Sequence, residues 1–344
     1  IQIKKLFKVN HMLTNTIMER EAREAPARIK QQLSQNESTA IELGKKLREL
    51  APNFVFMVGR GSSDHAGVFG KYLIEVETGT PVVAAAPSVK SVYNSTVNLK
   101  GSAVIVISQS GRSPDILTQA EIAKAQGALC IALVNVEDSP LAQIADVVLP
   151  LNVGEEKAVA ATKSYLATLS ALLQLVAHWK NDQALISQVN QLPDVLSQTV
   201  DEATQLTPDA LDGVDHLVVM GRGLGYALSR EVALKLKEVC GIQAESFSSA
   251  EFLHGPVTLV EGGLDIISLD LEDESKESHQ EQVSEVISRG ARVSRIAQTD
   301  SGIPDRIAPL TLLQRFYIDV ANVAVSRGVD PDAPAGLNKV TKTL

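Results

Sequence analysis

Short apolar runs recur along the chain and alternate with stretches of helical periodicity. Five such runs lie in the first half of the sequence, at residues 54–58, 81–86, 103–107, 129–134 and 147–151. Stretches of 10–20 residues with helical composition separate most of them. A strand that is apolar at every position is typical of a parallel sheet covered on both faces. The pattern therefore predicts an α/β fold with parallel strands flanked by helices.

The stretch before the first run has the periodicity of a helix. Residues 16–50 contain little glycine, and a pattern after Ser38 puts Leu43, Leu47 and Leu50 on one face. Pro26 lies within this stretch, and a proline removes a helical hydrogen bond. We therefore expect Pro26 to interrupt the helix.

The pattern of the first half restarts in the second half. The triplet Gly-Arg-Gly occurs at 59–61 and again at 221–223, an offset of 162, each time after an apolar run and before a helical pattern. The run at 264–269 resembles a counterpart of 103–107. These matches predict two copies of one α/β unit, joined by a helical linker around residues 181–210. The predicted boundaries are 1–35 for an N-terminal helical segment, 36–190 for the first unit, 191–329 for the second and 330–344 for a C-terminal tail.

Composition and charge exclude several classes of protein. The 344 residues are 44% apolar and 21% charged, which is ordinary for a globular chain, and the net charge of −9 argues against a nucleic-acid binder. Cys130 and Cys240 lie 110 positions apart, which fits neither a disulfide framework nor a zinc site. No apolar stretch reaches the roughly 18 residues of a membrane span, and no signal-peptide core is present. We expect a cytoplasmic protein without a metal or cofactor, and without nucleic-acid or membrane partners.

Two serine-rich turns follow apolar runs and precede helices. One contains Gly61, Ser62 and Ser63; the other spans residues 108–113. The second turn supplies Ser108, Gln109, Ser110 and Ser113. Such turns offer backbone N–H groups and hydroxyls to an anion at the carboxyl edge of a parallel sheet. They predict a site for a phosphate monoester, although serine and glycine also serve simply as helix caps and turns. The second copy instead carries an acidic loop at 269–274.

Candidate catalytic groups follow in the second half. Glu231, Lys235 and Glu238 are spaced to share one helical face, which is equally the pattern of a solvated salt-bridge face. His254 lies with two glutamates in a turn-rich segment, 244–256, where a histidine is more often a turn residue than a catalyst. His279 lies in a charged run, and we expect it on the solvated surface. Lys339 belongs to the tail and is expected to be free unless it serves the site.

Several motifs together resemble the sugar isomerase (SIS) family, and especially the isomerase half of glucosamine-6-phosphate synthase. The matching pieces are GRGSS at 59–63, SQSGRS at 108–113, EEKAVAATK at 155–163, EVALKLKE at 231–238, AESFSSAEFLHGP at 244–256 and DPDAPAGLNKVT at 330–341. The resemblance implies two tandem SIS domains, each a three-layer unit similar to flavodoxin and Rossmann folds. It also implies a sugar 6-phosphate as substrate.

The resemblance further implies roles for individual residues. It puts six residues at the phosphate, namely Ser62, Ser63, Ser108, Gln109, Ser110 and Ser113, and it puts Gly61 and Ala161 elsewhere at the substrate. Glu238 would move a proton between C1 and C2, with Lys235 beside it. His254 would assist ring opening, and Lys339 would form an imine with a ketose phosphate. The resemblance implies a homodimer, in which His254 could serve the partner's pocket.

Two departures from the synthase pattern shape the functional expectation. The segment before the first strand is too short for a glutaminase domain, and Ala161 takes the place of a serine near the substrate. Without an ammonia source, we expect a glucosamine-6-phosphate deaminase that releases fructose 6-phosphate and ammonia. Galactosamine-6-phosphate deaminase, fructosamine-phosphate deglycase, a simple isomerase and a non-catalytic sugar-phosphate sensor are alternatives, and the gluco or galacto epimer stays open.

Overall fold

The chain forms two parallel sheets surrounded by helices, in a computed structural model that describes residues 15–339. The first unit contains α1 Ile17–Leu50, β1 Val55–Val58, α2 Ser62–Thr78, β2 Val82–Ala84, α3 Ser88–Ser91, β3 Ala103–Ile107, α4 Pro114–Ala125, β4 Leu129–Val134, α5 Pro140–Ile144, β5 Val147–Pro150 and α6 Lys163–Lys180. Its strand order is β2-β1-β3-β4-β5, all parallel. The five apolar runs are these five strands.

The second unit repeats this plan with a smaller sheet. It follows the linker helix α7 Gln183–Val200 and contains β6 His216–Gly221, α8 Leu224–Cys240, β7 Gln243–Ser248, α9 Ser249–Phe252, β8 Asp265–Asp270, α10 Lys276–Ser288, β9 Arg292–Ala297 and α11 Ala308–Ser326. Two 3-10 helices lie at Pro208–Leu211 and Pro256–Gly262. The strand order is β7-β6-β8-β9, all parallel. The predicted fold class, two tandem parallel α/β units, is confirmed.

The two copies share an unusual backbone conformation at the second glycine of each Gly-Arg-Gly. Gly61 and Gly223, which precede α2 and α8, both have φ of +54°, with ψ of −129° and −123°. Only glycine adopts this region without strain. At the first glycine, an added Cβ would lie 2.7 Å from the backbone of Ser63 in one copy and 2.2 Å from that of Gly225 in the other. Both copies therefore need glycine at these two positions, at the second for its positive φ and at the first because the end of each strand passes close to the backbone of the helix that follows it.

Helix α1 runs unbroken through Pro26, so the expected interruption is wrong. Proline leaves the carbonyl of Ala22, one turn earlier, without its helical donor. The side chain of Gln314 in α11 supplies a replacement, with its Nε2 donating to that carbonyl at 2.9 Å. A tertiary contact therefore satisfies the group that the proline orphaned, and the predicted domain boundary at 35/36 lies inside one helix.

The edge strand β7 corrects another expectation. The start of segment 244–256 was predicted to be turn-rich, yet Gln243–Ser248 pairs with β6 over six residues. Ala244 is the fully buried residue of this strand, while most of its other side chains are partly exposed polar groups. A strand at a sheet edge tolerates such polarity because β6 supplies its backbone partners on one side. The apolar pattern that marks a central strand is therefore missing.

Burial of His279 contradicts the prediction of a solvated residue. Its side chain is 3% exposed, and Nε2 lies 3.0 Å from Ser268 Oγ and 3.3 Å from Asp270 Oδ1. His279, Val283 and Val286 form the buried face of α10, at positions i, i+4 and i+7. The charged residues of α10 lie on its other faces, and in the sequence they obscure the spacing of these three buried residues.

The two units share one hydrophobic core. Helix α6 is buried from Lys163 to Trp179, and its side chains belong to the same apolar cluster as residues of α1, α8 and α11. Helix α2 of the first unit packs against α8 of the second. This shared core fixes the position of α8 relative to α2. No helix within residues 15–339 is long and apolar enough to cross a membrane.

Candidate active site

A buried ion cluster lies on the face of α8 that looks toward α2. The side chains of Glu231 and Lys235 are 0% and 1% exposed, and Lys235 Nζ lies 3.2 Å from Glu231 Oε1. Lys235 Nζ also lies 2.6 Å from Glu238 Oε2, and the Glu238 side chain is 17% exposed. The alternative of a solvated salt-bridge face is therefore excluded for Glu231 and Lys235. Glu238 is the member of the cluster that reaches solvent.

Glu231 is held by donors from α2, from α11 and, through Lys235, from its own helix α8. Ser62 Oγ and His65 Nδ1 of α2 both lie 3.1 Å from its carboxylate oxygens, and the hydroxyl of Tyr317 in α11 lies 3.2 Å away. Burial by itself would raise the pKa of Glu231, but the Lys235 ammonium and the His65 hydrogen bond outweigh it and lower this pKa to about 2. The carboxylate is therefore ionised at neutral pH.

Lys235 keeps its charge for the reciprocal reason. Burial would lower its pKa, but the carboxylates of Glu231 and Glu238 outweigh burial and raise it above the ordinary value. An ammonium thus lies between two carboxylates at neutral pH. Such a group can stabilise negative charge that develops on a substrate oxygen next to Glu238.

The predicted phosphate turns lie side by side at the carboxyl edge of the first sheet. They follow β1 and β3, the neighbouring strands between which the strand order reverses, and this position in an open parallel sheet is where ligands bind. Neither Gly61 nor Ser113, the residues that precede α2 and α4, caps its helix with a side-chain hydrogen bond. Backbone carbonyls take up part of the first N–H groups instead: Ser63 donates to the Arg60 carbonyl at 3.0 Å, Ile116 donates to the Ser113 carbonyl at 3.1 Å, and Pro114 has no N–H.

Side chains of these turns differ in how far they are buried. Ser108 is 7% exposed, and its Oγ accepts from the Gly111 N–H at 3.2 Å. The residues left partly exposed are Ser63, Gln109, Ser110 and Ser113. Arg60, which sequence reasoning missed, precedes the first turn, and its Nε lies 2.8 Å from Oδ2 of Asp115, which follows the second turn at the start of α4. The phosphate role of these residues stays a prediction.

Ser62 links the first turn to the ion cluster. Its Oγ donates to Glu231 Oε1 and accepts from Lys235 Nζ at 3.3 Å, so this hydroxyl faces α8. Ser63 follows it directly, at the start of α2. The predicted phosphate turn and the predicted catalytic helix are therefore in direct contact.

The C-terminal tail is fixed to the loop before α6. Lys339 Nζ lies 2.6 Å from the Ala158 carbonyl oxygen and 3.2 Å from Glu156 Oε2, and its side chain is 29% exposed. Glu156 in turn accepts from the N–H groups of Thr162 and Ser164, both at 3.1 Å. Lys339 is therefore bound to the loop that contains the half-buried Ala161, and its hydrogen bonds within residues 15–339 go to Glu156 and Ala158 rather than to α8. Residues 340–344 of the predicted tail, and 1–14 of the predicted N-terminal segment, lie outside the described residues.

Asp332 anchors this tail to the start of α1. Its two carboxylate oxygens accept from the N–H groups of Ile17 and Met18, each at 2.8 Å. We expect Asp332→Ala to lower the free energy of unfolding by about 1–2 kcal/mol, because two N–H groups at the positive helix end lose their acceptors. Urea denaturation measures this loss, and Asp332→Asn should retain part of the stability because one acceptor oxygen remains. Equal stability of wild type and Asp332→Ala would contradict the anchoring role.

His254 lies apart from this cluster. It follows α9 and is exposed, and its backbone N–H donates to the Glu251 carbonyl at 3.0 Å. Within residues 15–339, its ring takes part in no hydrogen bond or ion pair. The structure therefore brings together Ser62, Lys235 and Glu238, but not His254.

A cavity of about 620 Å³ opens at the matching edge of the second sheet rather than at the predicted site. It lies between the turns after β6 and β8, with Arg222 and Gly223 on one side and the acidic loop on the other. Glu274 of that loop pairs with Arg306 at 2.8 Å, and the Arg306 hydrogen bond lowers the pKa of Glu274 to about 2. The loop after β8 is thus acidic and ion-paired, whereas the corresponding loop after β3 carries serines. Across residues 15–339, no three His, Cys, Asp or Glu side chains converge as metal ligands.

Known proteins with similar sequences match this chain along most of its length. The chain is 34% identical over 328 residues to glutamine–fructose-6-phosphate aminotransferase (isomerizing) of Symbiobacterium thermophilum, an alignment that covers 88% of this chain and 54% of the relative. The chain spans about half the length of the curated relatives it matches.

Solved structures extend the likeness over nearly the whole chain. A candidate phosphosugar isomerase from Silicibacter pomeroyi DSS-3 is 35% identical, with a TM-score of 0.85 over 92% of this chain and 100% of that one. The C-terminal domain of glucosamine-fructose-6-phosphate aminotransferase from Francisella tularensis is 26% identical, with a TM-score of 0.82 over 93% and 98%. The SIS domain profile matches at residues 52–178 and 211–307, once on each sheet. The chain therefore belongs to the SIS domain family.

Proposed function

We propose that the protein is a sugar-phosphate isomerase that deaminates glucosamine 6-phosphate. Glucosamine 6-phosphate and water would give fructose 6-phosphate and ammonia. The observation that carries this proposal is the contact between the Gly61–Ser63 turn and the Glu231–Lys235–Glu238 cluster. This contact supports the proposal because it places one turn of the predicted phosphate site next to a candidate proton-transfer group.

The cluster supports a proton shift between adjacent carbons. Glu238 is partly exposed, and a positioned carboxylate can take a proton from C2 of an open-chain sugar and return it to C1. Lys235, held protonated 2.6 Å away, stabilises the negative charge that forms when C2 loses its proton. The phosphate at the two serine-rich turns would fix the far end of the sugar, so that C1 and C2 lie at the carboxylate.

The substituent on C2 decides the product of this shift. With a hydroxyl on C2, the shift interconverts an aldose and a ketose. With an amine on C2, it gives an imine of fructose 6-phosphate, and water then replaces the nitrogen and releases ammonia. The relatives named glutamine–fructose-6-phosphate aminotransferase support the amine, because deamination is their named conversion run backwards with water as the acceptor.

His254 and Lys339 complete the proposed reaction from outside the cluster. His254 is exposed, as expected of a group that serves the pocket of a second subunit in a homodimer. Its imidazole would move the proton that opens the sugar ring. Lys339 would form an imine with the ketose product after leaving its contacts with the 156–158 loop.

Product release from two epimers tests the proposal. We expect equimolar ammonia and fructose 6-phosphate from glucosamine 6-phosphate, with galactosamine 6-phosphate and glucose 6-phosphate assayed beside it. Release of ammonia from galactosamine 6-phosphate alone would identify the protein as a galactosamine-6-phosphate deaminase instead. Turnover of glucose 6-phosphate alone would identify a simple isomerase. No turnover of any of them, with fructose 6-phosphate still raising the Tm, would favour a sensor.

A further inference from the structure

His65 of α2 makes a buried contact across the two units. Its side chain is 14% exposed, and Nδ1 lies 3.1 Å from Glu231 Oε2 on α8. Because Glu231 is ionised and its carboxylate can only accept, the hydrogen of this bond belongs to Nδ1. The sequence places the two residues 166 positions apart, so their partnership is visible only in the fold.

The contact is distinct among the bonds to Glu231. Ser62, Tyr317 and Lys235 all bond to Oε1. Among the residues that the structure describes, His65 is the one donor to Oε2. Without His65, Oε2 of the buried Glu231 has no hydrogen-bond donor within residues 15–339, and the carboxylate can rotate about the bonds that remain at Oε1. Lys235, which is positioned between Glu231 and Glu238, would move with it.

The second copy of the unit lacks this arrangement. At the offset of 162 residues, Ser62 corresponds to Leu224 and His65 to Ala227. The turn geometry is the same in both copies, since Gly61 and Gly223 share their backbone conformation. The fold therefore does not require a hydrogen-bonding residue at the position of His65. The copy that has one is the copy whose turn carries the serines of the predicted phosphate site.

We propose that His65 is a positioning residue: it fixes Glu231, and through it Lys235, so that Lys235 holds Glu238 where the proton is transferred. This inference rests on the proposed function. Because Ser63 and His65 share the first turns of α2, the helix that would bind the phosphate also orders the catalytic pair. His65 thereby couples phosphate binding in one unit to proton transfer in the other.

Two substitutions of His65 separate this role from a merely structural one. We expect His65→Ala to lower kcat for glucosamine 6-phosphate by about 10- to 100-fold, since small displacements of catalytic groups cost this much, with KM changed less than about threefold. His65→Asn, whose amide can donate from near the Nδ1 position, should recover most of the lost rate. The matched control is His178→Ala, which removes another His–Glu contact between two helices: Nε2 of the buried His178 in α6 lies 3.3 Å from Oε2 of the partly exposed Glu37 in α1. It should lower Tm without lowering kcat.

Three kinetic results would each overturn the inference. These are an unchanged kcat in folded His65→Ala, a His65→Asn variant no faster than His65→Ala, or an equal loss of kcat in His178→Ala. Lysine ¹³C NMR gives a readout that needs no turnover. The Lys235 Cε resonance should titrate at lower pH in His65→Ala and return toward its wild-type position in His65→Asn. If no substrate turns over while this shift is seen, the proposed function fails and the positioning role of His65 stands; an unchanged Lys235 titration overturns that role.

Discussion

Glu238→Gln is expected to lower kcat by about 10²- to 10⁴-fold, the usual contribution of a general acid–base group. The amide cannot take a proton from C2, yet it keeps the size of the carboxylate and can still accept from Lys235 Nζ, 2.6 Å away in the wild type. The folded structure and the serine-rich turns should be unaffected. Binding of fructose 6-phosphate, measured by calorimetry, should therefore persist while ammonia release is lost.

Glu285→Gln provides the matched control for this prediction. Glu285 pairs with Arg289 at 2.7 Å on an exposed face of α10, so its loss removes a Glu–cation pair far from the turns. We expect its kcat to match that of the wild type. Near-normal turnover by Glu238→Gln would remove Glu238 from the proton-transfer role and, with it, the chemistry proposed for this site.

Lys235→Met is expected to cost about 3–5 kcal/mol of unfolding free energy at neutral pH, as for other buried ion pairs broken on one side. Methionine fills the space of the lysine stem but leaves the buried Glu231 carboxylate without its counter-ion. Lys71→Met is the matched surface control, because Lys71 pairs with Glu75 at 2.9 Å and both side chains are more than a third exposed. That loss should stay below about 1 kcal/mol.

The pKa shifts of Glu231 and Lys235 determine how the stability that they contribute changes with pH. In the wild type, the pKa of Glu231 falls from 4.5 unfolded to about 2 folded, so its contribution is full above pH 4.5 and is lost as the pH falls toward 2. Lys235 has a raised pKa, so its contribution is full below its ordinary value of 10.5 and is lost at higher pH. In Lys235→Met, the lone carboxylate takes up a proton more readily.

The deficit of Lys235→Met should therefore shrink as the pH falls from 7 to 4. Adding Glu231→Gln to Lys235→Met should recover much of the loss at pH 7, because no uncompensated charge remains. Chemical denaturation at several pH values measures both effects. A deficit that is independent of pH would show that packing, not the buried charge, accounts for the loss.

Local patterns in the sequence were sufficient to predict the central strands, the repeat and the helical face of the candidate site. Central parallel strands are apolar at every position, so five of them could be located from the first half of the sequence alone. Gly-Arg-Gly marked the repeat because both of its glycines are demanded by the turn itself. Glu231, Lys235 and Glu238 share a face because helical spacing requires it. Each of these features depends on residues that are near one another in the chain.

The rest depends on contacts between distant segments. Helix α1 continues through Pro26 because Gln314, 288 positions away, supplies the missing donor. Strand β7 exists because β6 completes its backbone bonds. His279 is buried because a stripe on α10 faces β8. Contacts between distant segments decide these outcomes, and only the stripe on α10 leaves a local trace in the sequence.

By itself, the sequence determined the class of the fold, its duplication, the serine-rich turns and the helical face that bears Glu238. Only the tertiary structure decided that this face is buried against α2, that His65 and Tyr317 bind Glu231, and that Lys339 lies on the 156–158 loop while His254 stands apart. The physical reason is that spacing along a strand or helix fixes which side chains share a face. Glu231 stays ionised in its buried site partly through Lys235, one turn along the same helix, and partly through His65, which only the packing of separate helices brings within hydrogen-bond distance.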